Sequence, residues 1–142
     1  MKRMRRGNIG FLFLMIATAG GITFAATANA ASSGLTPQTS RDGNVNVTVT
    51  PRSLAPGASS WDFEVVLETH TQPLDQDLTK VVALIDAQGR PHAPLAWEGS
   101  PPGGHHRRGL LRFQPLAGNP ATVQLRLQGI GGVDRAFSWQ LK

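Results

Sequence analysis

The chain has 142 residues, no cysteine and no tyrosine, and a formal net charge of +5. The lack of cysteine excludes disulfide bonds, thiolate chemistry and blue-copper sites, which need a cysteine ligand. Four of the fourteen basic residues and none of the nine acidic ones precede Ala31, so the rest of the chain carries a formal charge of +1. With so little charge and no interleaving of basic and aromatic residues, we expect no nucleic-acid partner.

The first 30 residues are predicted to be a secretory signal peptide. Four basic residues, Lys2, Arg3, Arg5 and Arg6, precede an apolar run over about residues 9–26, and residues 28–30 read Ala-Asn-Ala, an A-x-A cleavage site. An uncleaved anchor helix is the alternative, because the apolar run is nearly long enough to cross a bilayer. We therefore expect a secreted or periplasmic protein that meets the membrane only during export.

The rest of the chain divides into a leader and one domain. Residues 31–43 are small and polar and predict a flexible leader, and residues 44–142 form the predicted domain. Within that domain, most short segments have an apolar residue at every second position, as strands with one buried face do. Turn-forming residues separate these segments. The seven predicted strands, labelled A to G, cover residues 44–50, 61–69, 80–87, 93–99, 109–113, 122–128 and 136–141.

Seven short strands without a sustained helical period predict an all-β fold. The expected architecture is an antiparallel immunoglobulin-like β-sandwich of about seven strands, preceded by the signal peptide. The chain lacks the Cys–Trp–Cys core of antibody domains, because it has no cysteine. With about 112 residues after the signal peptide, it is long enough for one domain with one core.

The direction of the strands predicts which connections lie together. If successive strands reverse direction, the B–C, D–E and F–G connections share one end of the sandwich, which we call the His pole. His92, in the C–D connection, maps to the opposite end. The His pole collects three of the four histidines and three aspartates, namely His70, Asp75, Asp77, His105, His106 and Asp134.

This cluster predicts a divalent transition-metal site, for zinc or copper. Imidazole and carboxylate groups are common ligands of these ions. Adjacent residues on extended chain point to opposite sides, but Gly103 and Gly104 permit the bend that would turn both neighbouring histidines toward one ion. The spacing matches no fixed metal motif. The candidate ligands are His70, Asp77, His105 and His106.

Two other binding interpretations remain open. In the first, the histidines and aspartates only hydrogen-bond to loop backbone and stiffen the pole of a structural or interaction module. The partner would then be another exported or cell-surface protein, and Trp97 is either a partly exposed contact residue or a lid over the end of the sandwich. In the second, the amides near Gly103 capture an anion together with Arg107 and Arg108.

Catalysis is the interpretation that the sequence favours least. Ser100 lies near His105 along the chain, and aspartates are predicted nearby, so the residue types of a hydrolytic triad are present. However, Ser100 has no G-x-S-x-G context and is followed by two prolines. We therefore expect that the protein is not an enzyme.

Three segments, "LETHTQPLDQDLTKVVAL", "AWEGSPPGGHHRRGLLRF" and "LRLQGIGGVDRAFSW", resemble a family of small exported prokaryotic proteins of uncharacterised function. The resemblance spans about residues 64–139 and implies a β-sandwich and an extracytoplasmic location, but no activity or ligand. One departure is Pro73, which stiffens the B–C connection. The matching positions are Thr69, His70, Leu74, Asp77, Leu78, Trp97, Gly103, Gly104, His105, His106, Gly109 and Trp139.

Overall fold

The computed structural model describes residues 35–142, so the predicted signal peptide lies outside the described residues. No helix in the described part is long and apolar enough to cross a membrane. The strands and the α-helical turn are β1 (Gln38–Ser40), β2 (Val45–Ser53), β3 (Trp61–Thr69), α1 (Leu78–Val81), β4 (Val82–Ile85), β5 (Pro91–His92), β6 (Ala96–Gly99), β7 (His106–Phe113), β8 (Thr122–Ile130) and β9 (Val133–Gln140), and a short 3-10 turn, Asp42–Asn44, precedes β2.

The strands form two packed antiparallel sheets, which confirms the predicted all-β sandwich. One sheet has the order β1-β2-β3-β7-β6 and the other has the order β5-β4-β8-β9. The predicted strands A to G correspond to β2, β3, β4, β6, β7, β8 and β9. In those letters the sheets contain A-B-E-D and C-F-G, which is the arrangement of the immunoglobulin fold.

The core lies between the sheets and follows the alternation of the sequence. On β3, Trp61, Phe63, Val65 and Leu67 are buried, whereas the residues between them face outward. The ring of Phe63 packs edge-on against a phenylalanine of β7, with 5.8 Å between ring centroids, and lies 5.6 Å from the ring of Trp139 on the facing sheet. This aromatic contact joins the two sheets.

Part of the predicted flexible leader, residues 38–40, is a strand, whereas residues 31–34 of that leader lie outside the described residues. Within that stretch, β1 pairs with β2, and the Gln38 side chain donates a hydrogen bond of 2.6 Å to the Ser138 carbonyl. The indole of Trp139 also donates a hydrogen bond to the Thr36 carbonyl at 2.8 Å. A three-residue strand is too short to produce an alternating pattern, so only these tertiary contacts identify it.

Several predicted strand boundaries also differ from the observed ones, and two of these differences affect the candidate site. Strand E was predicted to begin at Gly109, but β7 begins at His106, so the residues His106 to Arg108 belong to a strand rather than to a loop. Strand C was predicted from Lys80, but the chain first makes the turn α1, which Asp77 caps. The strand extension matters most for function, because it fixes the inward or outward direction of three candidate site residues.

Candidate binding site at the His pole

The structure brings His70 and His106 together, as the predicted strand directions require. Their ring centroids are 6.5 Å apart, and Glu68, two residues before His70, pairs with His106 across β3 and β7. Both imidazoles are exposed. His92 lies at the other end of the sandwich, where residues 114–120 continue from the end of β7.

Backbone hydrogen bonds join two of the three connections at the His pole, the one between β3 and β4 and the one between β6 and β7. The Thr69 amide donates to the His105 carbonyl at 2.9 Å, and the Leu74 amide donates to the Gly104 carbonyl at 3.0 Å. The Gly103 amide donates back to the Leu74 carbonyl at 2.9 Å. Gly103 and Gly104 have φ angles of +110° and +70°, which favour glycine. The glycine pair therefore holds the loops together, and the Gly103 amide is not free to bind an anion.

Arg107 is buried beneath these loops, with 2% of its surface exposed. Its guanidinium donates hydrogen bonds to the Leu74 carbonyl at 3.1 Å and to the Gln76 carbonyl at 2.6 Å, and lies 5.6 Å from the centre of the Trp97 ring. Burial lowers the pKa of Arg107, and the carboxylates of Asp77 and Asp75 oppose that shift. The predicted anion contact at Arg107 is therefore wrong, because its position on β7 turns the side chain inward.

Trp97 closes the same end of the sandwich. Its indole packs against the core and donates a hydrogen bond to the Ser100 carbonyl at 2.8 Å. Gly99 and Gly109 pair across β6 and β7, and a Cβ atom on either would lie 2.9 Å from the indole. The two glycines therefore make room for a half-buried lid, as one of the two interpretations of this tryptophan expected.

Arg108 points outward, opposite to Arg107. Its guanidinium lies 3.1 Å from the Glu64 carboxylate, and its side chain is 69% exposed. Glu64 also accepts a hydrogen bond from Arg52 at 2.8 Å. These two arginines, Arg52 first, lower the pKa of Glu64 below its ordinary value. Arg108 thus stays available at the surface, although it already has an acidic neighbour.

Asp77 is used as a helix cap rather than as a neighbour of the histidines. Its carboxylate accepts hydrogen bonds from the Thr79 amide at 3.0 Å and the Thr79 hydroxyl at 2.6 Å. These bonds lower the pKa of Asp77, with a smaller contribution from Lys80. His105 is exposed. Within residues 35–142, no group of three or more His, Cys, Asp or Glu residues is placed to hold a metal ion. Of the predicted ligands, the structure pairs only His70 and His106.

A second arginine, Arg135, is also buried and forms hydrogen bonds with two further turns. It was not among the predicted site residues. It is 5% exposed and donates hydrogen bonds to the carbonyls of Ile130, Asp42 and Val45. These bonds join the β8–β9 turn to the turn that precedes β2. The alternation of the strands does indicate burial of this residue, because Arg135 and Arg107 both fall on the inward-facing positions of their strands.

Comparisons with family models, curated proteins and solved structures found no match for this chain. The resemblance to small exported prokaryotic proteins therefore stays a prediction that rests on the quoted motifs.

Proposed function

We propose that this chain is a non-catalytic binding domain of the periplasm or the extracellular space, and that its His pole contacts another exported or cell-surface protein. One observation carries the proposal: Arg107 and Asp77 form hydrogen bonds with groups of the pole's own loops, whereas His70, His105 and His106 are exposed. Arg107 bonds to loop carbonyls and Asp77 bonds to Thr79. Such a pole offers an ordered surface instead of a reactive pocket.

The fixed conformation of the two loops favours binding. Loops that are already fixed lose less conformational entropy when a partner binds, and this raises affinity without new contacts. Three backbone hydrogen bonds and Arg107 fix the two loops here. His70, His105 and His106 lie exposed on that fixed backbone. Loops at one end of immunoglobulin-like sandwiches form contact surfaces in the same manner.

Site-specific photocrosslinking tests this proposal in cells that export the chain. A photoreactive residue in place of His105 is expected to give a discrete adduct of higher mass. The matched control replaces Arg126, which is exposed on β8 away from the pole, and should give none. Equal adducts from both positions, or adducts from Arg126 alone, would place the contact surface elsewhere and refute the proposal.

A divalent transition metal is the second candidate ligand of the pole, because His70 and His106 lie close together. Two imidazoles that share one ion at about 2 Å have ring centroids roughly 5–6 Å apart, and the observed separation is 6.5 Å. Small side-chain rotations would therefore close the pair on an ion. Glu68 is a nearby oxygen donor, 3.8 Å from Nδ1 of His106. Two imidazole ligands on an exposed surface would give an exchangeable zinc or copper site.

Thermal unfolding with added metal tests this second candidate. A ligand that binds only the folded state at one hundred times its dissociation constant adds about 2.7 kcal/mol to the free energy of unfolding. We expect copper or zinc to raise the melting temperature of the exported chain and EDTA to reverse the rise. The His70→Ala, His106→Ala double variant should lose the response, whereas His92→Ala should keep it. An unchanged melting temperature with metal, or an equal rise in the double variant, would exclude this pair as the site.

A further inference from the structure

A cleft of about 300 Å³ lies at the end of the sandwich opposite the His pole. It separates the turn between β4 and β5 from the connection between β7 and β8. This volume is at the lower end of the range for small-molecule sites. The walls include Asp86, Arg90, His92, Gln114, Leu116 and Pro120.

Asp86 organises the polar wall of the cleft. Its carboxylate accepts hydrogen bonds of 2.9 Å from the backbone amides of Gln88 and Arg90, from Nε of Arg90, and shares one of 2.9 Å with Nε2 of His92. Its side chain is 9% exposed. These bonds, His92 first, hold the pKa of Asp86 far below its ordinary value. Both carboxylate oxygens are thus occupied, which leaves little capacity to ligate a cation.

The two side chains that Asp86 orients still have free nitrogen atoms. Arg90 contacts the carboxylate through Nε, and its terminal nitrogens bond to no other described residue. His92 uses Nε2, and its Nδ1 likewise has no bond to the described part of the chain. The arginine therefore keeps a pair of donors of the kind that binds carboxylates, and the imidazole beside it is held in a fixed orientation.

The other wall of the cleft is mostly apolar. It contains Pro115, Leu116, Ala117 and Pro120 from the β7–β8 connection. A ligand that fills the cleft would place an acidic group on the arginine and an apolar body on this wall. We propose that the cleft binds a small organic monocarboxylate, with Arg90 as the charged anchor and His92 as a neighbouring polar contact. This site is independent of the partner proposed for the His pole.

Titration with benzoate, followed by amide and imidazole NMR signals of the exported chain, tests this site. We expect saturable shifts confined to residues 86–92 and 114–120, with a dissociation constant on the order of 1 mM. Inorganic phosphate should bind more weakly because it lacks the apolar body, and benzyl alcohol because it lacks the charge. Shifts scattered over the surface would overturn the proposal. So would shifts that do not saturate at a benzoate concentration of about 20 mM, which is 20 times the expected dissociation constant.

Variants locate the binding to this cleft. Arg90→Gln should weaken benzoate binding roughly tenfold, whereas Arg126→Gln, at an exposed arginine on β8, should leave it unchanged. Ala117→Trp should also abolish binding, because Ala117 lines the cleft and an indole there would occupy space that the ligand needs. Unchanged signals from core amides show that each variant is folded. Full binding by both Arg90→Gln and Ala117→Trp would contradict the assignment.

Discussion

Replacing Arg107 by methionine is expected to lower the free energy of unfolding by about 3 kcal/mol. Methionine keeps an unbranched apolar side chain but removes the guanidinium. The Gln76 carbonyl would then lose this donor and the Leu74 carbonyl would keep only the Gly103 amide, and an unsatisfied buried acceptor costs roughly 1–3 kcal/mol. The contact with the Trp97 ring would be lost as well. Urea unfolding, followed by tryptophan fluorescence, measures the change.

Arg108→Met is the matched control, because Arg108 is the next residue and faces the opposite way. Its ion pair with Glu64 lies at the surface, and such pairs contribute about 0–1 kcal/mol. We expect a loss within that range. Equal losses in the two variants would mean that burial of the guanidinium does not stabilise the pole. If Arg107→Met remained stable but lost the photocrosslink at His105, Arg107 would be needed for the conformation of the loops and not for the stability of the whole domain.

Arg135→Met is expected to cost about 3 kcal/mol or more, because this guanidinium serves more acceptors. Besides the three carbonyls that it shares between two turns, its Nε donates to the Ser40 hydroxyl at 3.0 Å. The loss should also be local. Hydrogen exchange at the Val45 amide and in the turn before it should become faster than at amides in the middle of β3.

Arg126→Met is the control for this second variant. Arg126 lies on the neighbouring strand β8, is exposed, and has one long hydrogen bond of 3.4 Å to Gln124. We expect its removal to change the free energy of unfolding by no more than about 0.5 kcal/mol. If Arg135→Met were equally neutral, the turn before β2 would be held by other contacts, such as the hydrogen bond of 3.0 Å from Gln72 to the Gly43 carbonyl.

The two buried arginines show what the alternation of a strand indicates and what it leaves open. Alternation along β7 and β9 already placed Arg107 and Arg135 in phase with buried residues such as Leu111 and Trp139. A charged side chain at an inward position indicates a buried hydrogen-bonded cation rather than a surface contact. Treating Arg107 as part of a loop concealed its phase, because loops have no fixed alternation.

The sequence by itself determined the sandwich, its seven principal strands and the meeting of His70 with His106. Alternation requires one buried face for each strand, and strand reversal distributes the connections between the two ends. Only the tertiary structure decided that Asp77 caps a helix, that Arg107 is buried, that Gln38–Ser40 is a strand and that Asp86 orients two side chains at a cleft. Those outcomes depend on which backbone groups come within about 3 Å of each other. Distances of that size depend on how the loops pack, which a periodic pattern does not encode.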